Sequence, residues 1–363
     1  MKQKIMQQIG KRLESGFFGV MALLVLCPPA PAVAAEADDA WTYDRVVWTS
    51  PSKDSKGSMP IGNGDIGANV WVEAGERSEA ASLLFLLSKT DAWSENHRLL
   101  KLGQVRVALT PNPLREGTSF SQTLDTETGE ILVRFKTDEQ ELSLRLRVDA
   151  NHPVVTVDID STQPVSATVS LEHWRTQRRQ LQGKETHSAY GLHGKDAEPI
   201  FVEPDTIMTG QQDRIVWYHR NERSIWKANM ELQALGDLTK SQTDPLLHRT
   251  FGAMIQGEGL VSQSDTTLKS SAPSKSIRVE VFPLTAQTES GEQWLRQLAT
   301  GSRRIDALSH EDRRAAHLGW WRAFWDRSSI HIQATRQQDA SLIARINRGY
   351  RLQRFINACG GRG

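Results

Sequence analysis

Cysteine is scarce in this 363-residue chain, which contains only Cys27 and Cys359. Disulfide-rich secreted domains and structural zinc sites both need several cysteines or histidines at short, regular spacings. His187 and His193 do not have the i, i+4 spacing of a helical zinc motif, and no cysteine lies near them. The sequence therefore predicts no disulfide and no metal site, and it predicts that a hydrophobic core supplies the stability.

The chain also lacks an excess of charge of either sign. Its 44 Lys and Arg residues nearly balance its 43 Asp and Glu residues, for a formal net charge of +1. Such a balance gives no basis for binding nucleic acid or an anionic membrane surface. No apolar run reaches the roughly 18 residues that a transmembrane helix needs. Nucleic acid and membranes are therefore not predicted as partners of the mature chain.

The N-terminus has the three parts of a secretory signal peptide. A basic leader over residues 1–12 precedes an apolar stretch over residues 16–26 and the small-residue segment APAVAA over residues 30–35. We predict cleavage near Ala35 and a secreted or periplasmic protein. A lipoprotein anchored through Cys27 is the alternative, although the bulky leucine before this cysteine fits that processing poorly.

Alternation of apolar and polar residues dominates residues 42–285 and indicates β-strands. Within residues 129–161 three strands follow one another, separated by the turn-prone segments TDEQ and ANHP. Further alternating segments lie at residues 99–113, 165–174, 213–221 and 276–285. Many short strands without helices between them indicate antiparallel sheets packed face to face. The predicted fold class is mainly β, a large antiparallel β super-sandwich.

Helical spacing replaces this alternation after residue 288. Helices are predicted over residues 290–301, 309–328 and 339–363, and a short strand over residues 329–332. Gly301 is predicted to end the first helix as a C-cap. In the last helix Leu342, Ile346 and Tyr350 share one side, which leaves an apolar face for another element to cover.

Gly62, Gly64 and Gly67 form a literal G-x-G-x-x-G within residues 59–72. In a dinucleotide site this motif follows a buried strand and opens a helix. Here the preceding segment is polar, and the following one, ANVWVEAG, alternates like a strand. The glycines are instead predicted to allow a tight loop between strands, with positive φ angles. No nucleotide and no other cofactor is predicted.

Two segments, MPIGNGDIGANVWVE (59–73) and LLFLLSKTDAWSEN (83–96), resemble a known family. They are similar to the N-terminal super-sandwich of proteins with a six-hairpin catalytic barrel, among them glycoside hydrolase family 95, the inverting α-L-fucosidases. The stretch from Lys89 to Trp93 differs from the corresponding stretch of family 95. Together with the later segments LLKLGQVRV and WYHRN, it looks more like the bacterial domain of unknown function 5703. That family has the same architecture and no assigned activity. The resemblance covers about residues 42–330.

The resemblance implies a domain order. It comprises a signal peptide (1–35), a β super-sandwich domain (36–287), a helical linker (288–336) and the first helix of a truncated six-hairpin barrel (337–363). A complete barrel takes on the order of 300 residues, since a helix rises only about 1.5 Å per residue. The catalytic domain is therefore expected to be missing. Because the acid and base of family 95 lie on that barrel, no catalytic residue is predicted in this chain.

Five residues form the predicted substrate-binding set: Asn63, Asp65, Asp91, Trp93 and Asn96. The resemblance places the 91–96 stretch beside the barrel mouth, where amides and carboxylates can bind hydroxyls and an indole can stack on a sugar ring. The alternative for Trp93 is packing under a loop with its indole N–H bonded to a neighbour. Asp91 and Glu95 could in principle be a hydrolytic carboxylate pair, but solvated or capping acids are favoured.

The segment WYHRN offers His219 as a further polar candidate. Alternation predicts that Trp217 and His219 share one face of a strand and that Tyr218 and Arg220 share the other. A hydrogen-bonded cluster on the sheet is favoured over a ligand site.

The sequence thus favours the N-terminal domain of a secreted glycoside hydrolase-like protein acting on carbohydrate, α-L-fucosidase-like but catalytically incomplete. A standalone carbohydrate-binding module and a vestigial sandwich without enzymatic activity are the alternatives. Carbohydrate is the expected partner and is expected to bind weakly. Self-association is also expected, through the exposed helix 339–359.

Overall fold

The structure is a computed structural model that describes residues 45–75, 80–189 and 199–362. The predicted signal peptide with its cleavage region, Cys27 and His193 lie outside the described residues. Within the described ranges the chain forms seventeen β-strands and four α-helices. None of these helices is both long and apolar enough to cross a membrane.

The first nine strands follow one another along the chain with short connections. They are β1 (Arg45–Trp48), β2 (Met59–Gly62), β3 (Ile66–Glu73), β4 (Ser82–Trp93), β5 (Leu99–Thr110), β6 (Ser119–Asp125), β7 (Glu130–Lys136), β8 (Glu141–Val148) and β9 (Val155–Glu172). The remaining eight are β10 (Arg179–Gln180), β11 (Phe201–Val202), β12 (Thr206–Ile207), β13 (Arg214–Arg220), β14 (Arg249–Gln256), β15 (Leu260–Ser264), β16 (Thr267–Ser270) and β17 (Ser274–Gln287).

Two antiparallel layers form a sandwich, which confirms the predicted fold class. One layer has the strand order β1-β6-β7-β8-β9-β17-β14-β13-β12, and the other contains β2-β3-β4-β5-β9 together with the hairpin β16-β15. The short strands β10 and β11 pair only with each other. Side chains alternate as predicted: in β7, Ile131, Val133 and Phe135 are buried, whereas Arg134 and Lys136 are exposed.

Strand β9 belongs to both layers. Its first half, up to Ser161, pairs with β8 and β17, and its second half, from Ser166, pairs with β5. The sequence predicts separate alternating segments here, one ending at residue 161 and one beginning at residue 165, with residues 162–164 between them. They instead form the crossing point, where an exposed stretch leaves one sheet and enters the other.

The helices cover the first layer and one end of the sandwich. They are α1 (Trp226–Leu232), α2 (Gly291–Asp306), α3 (His310–Asp326) and α4 (Ala340–Gly360). Trp294 and Leu298 of α2 pack on Val216, Met254 and Phe282 of the sheet, which form a second core. This outer cover explains why β14 and β17 are buried on both faces and lack strict alternation.

Two local predictions after residue 288 are wrong. Gly301 lies inside α2, which continues to Asp306 because packing of Ile305 on the sheet outweighs the weak helix propensity of one glycine. The expected strand at 329–332 does not form. Its backbone bonds to a side chain instead, since the Ile332 N–H donates to Asn347 Oδ1 at 3.0 Å and Asn347 Nδ2 donates to the Ile332 carbonyl at 2.9 Å.

Helix α3 is fixed to the turns of the first layer. Its N-cap is Ser309, whose hydroxyl accepts from the Asp312 N–H. The Trp325 indole donates to the Thr126 carbonyl at 2.9 Å. Trp321 lies so close to Gly129 that a Cβ there would be 2.1 Å from its indole nitrogen. Trp321 in turn stacks on Phe355 of α4 at 5.2 Å, so α4 is held against the sandwich through α3.

Candidate functional site

The glycine motif forms the hairpin between β2 and β3, as predicted, and no helix follows it. Asn63 Oδ1 closes the turn by accepting from the N–H groups of Asp65 at 3.1 Å and Ile66 at 2.7 Å. Gly64 has a φ of +86°, a conformation that side chains rarely adopt. No positive φ occurs at Gly62 or Gly67, so the expectation of positive angles holds only for the middle glycine.

The hairpin tip packs against the C-terminal end of α4. The Gly64 N–H donates to the Cys359 carbonyl at 2.9 Å. A Cβ on Gly62 would lie 2.6 Å from that same carbonyl oxygen, and one on Gly64 would lie 2.7 Å from Cγ of Arg362. Asn63 Nδ2 also donates to the Asp149 carbonyl at 2.8 Å. The small residues therefore serve a close approach between a strand hairpin and a helix end.

A pair of carboxylates lies beside the turn of this hairpin. Lys89 Nζ donates to Asp65 Oδ1 at 2.8 Å and to Asp91 Oδ1 at 2.9 Å. The Lys89 side chain is 9% exposed, whereas those of Asp65 and Asp91 are 45% and 40% exposed. The hydroxyl of Thr90 also donates to Asp65 Oδ1. One buried ammonium thus holds two acceptor groups side by side at the surface, and such acceptors can bind hydroxyl donors.

Trp93 and Asn96 lie further along the same segment and differ in exposure. Trp93 is partly buried, with its ring centroid 5.1 Å from that of His97, and its carbonyl accepts from Asn221 Nδ2. Asn96 is 1% exposed, and its Nδ2 donates to Glu95 Oε1 at 2.8 Å and to the Phe201 carbonyl. The amides of Asn63 and Asn96 are therefore committed to internal bonds, whereas Asp65, Asp91 and Trp93 keep exposed surface.

A buried polar network stands behind this surface. His219 lies between two carboxylates, with Nε2 at 2.9 Å from Glu95 Oε2 and Nδ1 at 3.1 Å from Asp205 Oδ1. Arg175 Nε donates to the same Asp205 oxygen at 2.7 Å. Burial opposes the imidazolium form of His219, but the bonds to Asp205 and Glu95 outweigh it, so its pKa is raised. Two carboxylates thus face the His219 imidazole and the Arg175 guanidinium inside the protein.

This network fixes the backbone of the candidate site. Asn221, two residues after His219, donates to the carbonyls of Trp93 and Leu246. Arg249 Nη1 donates to the Asp91 carbonyl at 2.9 Å. The alternation of WYHRN correctly predicts that His219 points inward with Trp217. Its partners Glu95 and Asp205 were missed, because they come from distant loops and carry no local signal.

The structure also separates residues that the sequence places near each other. Asp91 is at the surface on Lys89, whereas Glu95 is 1% exposed and bound to His219, so the two carboxylates do not share a cleft. Among the described residues no three His, Cys, Asp or Glu side chains are arranged to hold a metal ion. The exposed groups Asp65, Asp91 and Trp93 can form hydrogen bonds and a stacking contact.

Comparison with known proteins identifies the family. The family model described as "Domain of unknown function (DUF5703)", for its N-terminal domain, matches residues 47–330. The chain belongs to the DUF5703 family. The matched range of this DUF5703 domain includes both sheet layers, α2, α3, the glycine hairpin and the carboxylate pair. No curated protein matches the sequence.

Similarity to solved structures is weak in sequence. One is described as "Putative kojibiose phosphorylase from human microbiome", with 10% identity and a TM-score of 0.46. The alignment covers 88% of this chain and 42% of that chain. The DUF5703 chain therefore spans less than half the length of that structure.

Proposed function

We propose that this chain is the sandwich and linker region of a secreted, glycoside hydrolase-like protein that acts on carbohydrate in the manner of the α-L-fucosidases. In this proposal the sandwich supports a helical domain and contributes part of the sugar-binding surface. The observation that carries the proposal is the pair Asp65 and Asp91, held by Lys89 beside a hairpin that is docked on the end of α4.

The geometry suits a neutral sugar. Two exposed carboxylates accept hydrogen bonds from hydroxyl groups, and Lys89 offsets part of their mutual repulsion. The partly exposed Trp93 adds an apolar surface on the same segment. Few contacts are available, so we expect a Kd on the order of millimolar, which corresponds to about −4 kcal/mol.

Hydrolysis is not expected from the described residues. The resemblance to family 95 assigns the acid and the base to a helical barrel, and the acids Asp91 and Glu95 do not share a cleft in this structure. The exposed face of α4, with Leu342 at 49% and Ile346 at 43%, favours a domain that packs against further helices over a standalone binding module.

Saturation-transfer NMR with L-fucose, together with an assay on 4-nitrophenyl α-L-fucoside, tests this proposal. We expect weak binding and no release of 4-nitrophenol above background. Asp91→Asn should weaken binding several-fold and Trp93→Ala should abolish it, because each removes a contact at the surface. Asp213→Asn is the matched control, since Asp213 is an exposed, ion-paired carboxylate elsewhere. Fucose binding that neither site variant changes would contradict the site, and hydrolysis would contradict the non-catalytic role.

A further inference from the structure

A hollow of about 370 Å³ lies between the C-terminal halves of α3 and α4, outside the carboxylate pair. Its lining includes two aromatic rings, three arginines and an amide: Trp320, Phe324, Arg327, Arg354, Arg362 and Asn357. The rings of Trp320 and Phe324 are parallel within 8°, with centroids 5.6 Å apart. The two rings form an apolar wall, and the charged groups lining the hollow carry one sign.

Arg362 is held in a fixed orientation with one donor unused. Its guanidinium lies 3.5 Å above the Trp320 ring. Nε donates to the Ala358 carbonyl at 3.2 Å and Nη1 donates to the Ala150 carbonyl at 2.7 Å. Nη2 is buried and has no hydrogen-bond partner among the described residues. A buried charged donor without an acceptor is costly, so an acceptor that reaches Nη2 would stabilise this side chain.

Positive charge around this donor is only partly offset, by the nearby carboxylate of Asp149. Arg327 and Arg354 lie 5.3 and 5.0 Å from the Phe324 ring centroid. Among the described residues no carboxylate forms an ion pair with Arg327, Arg354 or Arg362, and α4 itself contains four arginines and no acid. Burial lowers the pKa of Arg362 to about 10, with Cys359 and Asp149 acting against it and Arg327 acting in the same direction. The guanidinium therefore remains charged at neutral pH.

We propose that this hollow binds a compact oxyanion, a carboxylate, sulfate or phosphate group of a small ligand, through Arg362 Nη2 and Arg327. A guanidinium stacked on an indole loses little freedom on binding, and its planar N–H groups match the geometry of an oxyanion. The site uses side chains that the proposed neutral-sugar surface does not use. Only the identification of the ligand as an acidic sugar rests on the proposed function.

Isothermal titration at constant ionic strength tests this site, with sulfate, inorganic phosphate, D-glucuronate and neutral D-glucose as probes. We expect at least one of the anions to bind with a Kd of millimolar or below, and glucose not to bind. Arg327→Gln should weaken anion binding about tenfold, because a charge-assisted contact is removed. Arg322→Gln is the matched control. Arg322 is an exposed arginine of α3, the helix that Arg327 directly follows, and it does not line the hollow.

The outcomes separate the alternatives. Tighter binding of glucuronate than of sulfate or phosphate would identify an acidic sugar, and the reverse would identify a free inorganic anion, with the oxyanion site supported in both cases. No binding of any anion up to about 50 mM, well above the expected Kd, would overturn the proposal. Equal weakening in both arginine variants would also overturn it, because nonspecific attraction would then explain the binding. A failure of fucose binding leaves this result unaffected.

Discussion

Gly64 shows how one residue can control the docking of a helix. Its φ of +86° and the position of Arg362 Cγ, 2.7 Å from an added Cβ, both oppose a side chain. We predict that Gly64→Ala lowers the free energy of unfolding by about 1–3 kcal/mol, measured by urea denaturation. Gly67→Ala is the control, because Gly67 has ordinary φ and an added Cβ meets nothing within 4 Å. Equal effects of the two changes would show that the close approach is unimportant.

His317 links three segments and must be neutral to do so. The Ala150 N–H donates to its Nδ1 at 3.1 Å, and its Nε2 donates to the Thr128 carbonyl at 2.8 Å. Burial lowers its pKa to about 4, with Arg147 acting in the same direction and Glu130 and Asp149 against it. A protonated Nδ1 would lose the bond from Ala150, so the turn after β8 depends on the unprotonated ring.

The pH dependence of stability follows from this lowered pKa. His317 takes up a proton near pH 6.5 in the unfolded chain but only near pH 4 in the folded chain. Its contribution to the free energy of unfolding is therefore complete above pH 6.5 and is lost as the pH falls towards 4. We predict that His317 contributes a loss of about 2 kcal/mol between pH 7 and pH 5, measured by denaturant titration as the difference between the unmodified chain and His317→Gln, because His219 with its raised pKa acts in the opposite direction. His317→Gln should flatten this slope, because glutamine keeps both bonds without titrating. His331→Gln, at an exposed position, should leave the slope unchanged.

Helix α3 is the element that joins the sandwich to α4. Trp325 reaches the turn after β6, His317 reaches the turns after β6 and β8, and Trp321 contacts Phe355. At its start His310 Nε2 lies 3.2 Å from Asp158 Oδ2. Burial by itself would raise the pKa of Asp158, but hydrogen bonds to His310, Arg278 and Arg147 lower it well below its usual range. The helix is therefore fixed by specific polar bonds as well as by aromatic packing.

At the scale of the whole molecule, α4 exposes part of an apolar face. Phe355 and Ala358 are buried, whereas Leu342, Ile346 and Ile356 are 49%, 43% and 41% exposed. In a preparation of these 363 residues alone, we predict that a second copy of the chain covers this face, because burying apolar surface is favourable and outweighs the repulsion between the arginines of α4. Light scattering should show a concentration-dependent increase in mass.

A double variant tests this association. Leu342→Ser with Ile346→Ser should give a monomer at every concentration, because both changes remove apolar surface from the contact. Leu232→Ser is the control, since Leu232 is 64% exposed on α1, away from this face. A monomeric unmodified chain would show that self-association is not what covers α4. Loss of association in the Leu232 variant would place the contact on α1.

Much of the fold was determined by the sequence alone, because strand alternation and helical spacing are local. The buried positions of β7 and β8 and the inward side of β13 follow from the spacing of residues near each other in the chain. The mainly β class and the sandwich follow from the number of such strands. The resemblance to DUF5703 rests on two short segments, and the family match supports it.

Only the tertiary structure decided how distant segments meet. Glu95 and His219 are 124 residues apart, and nothing near either of them predicts their bond. The crossing of β9, the use of Gly62 and Gly64 against the end of α4, and the donors of Arg362 likewise depend on contacts made after folding. A local pattern predicts which face of an element is buried. It does not predict which segment covers that face, because that is determined by the packing of the whole chain.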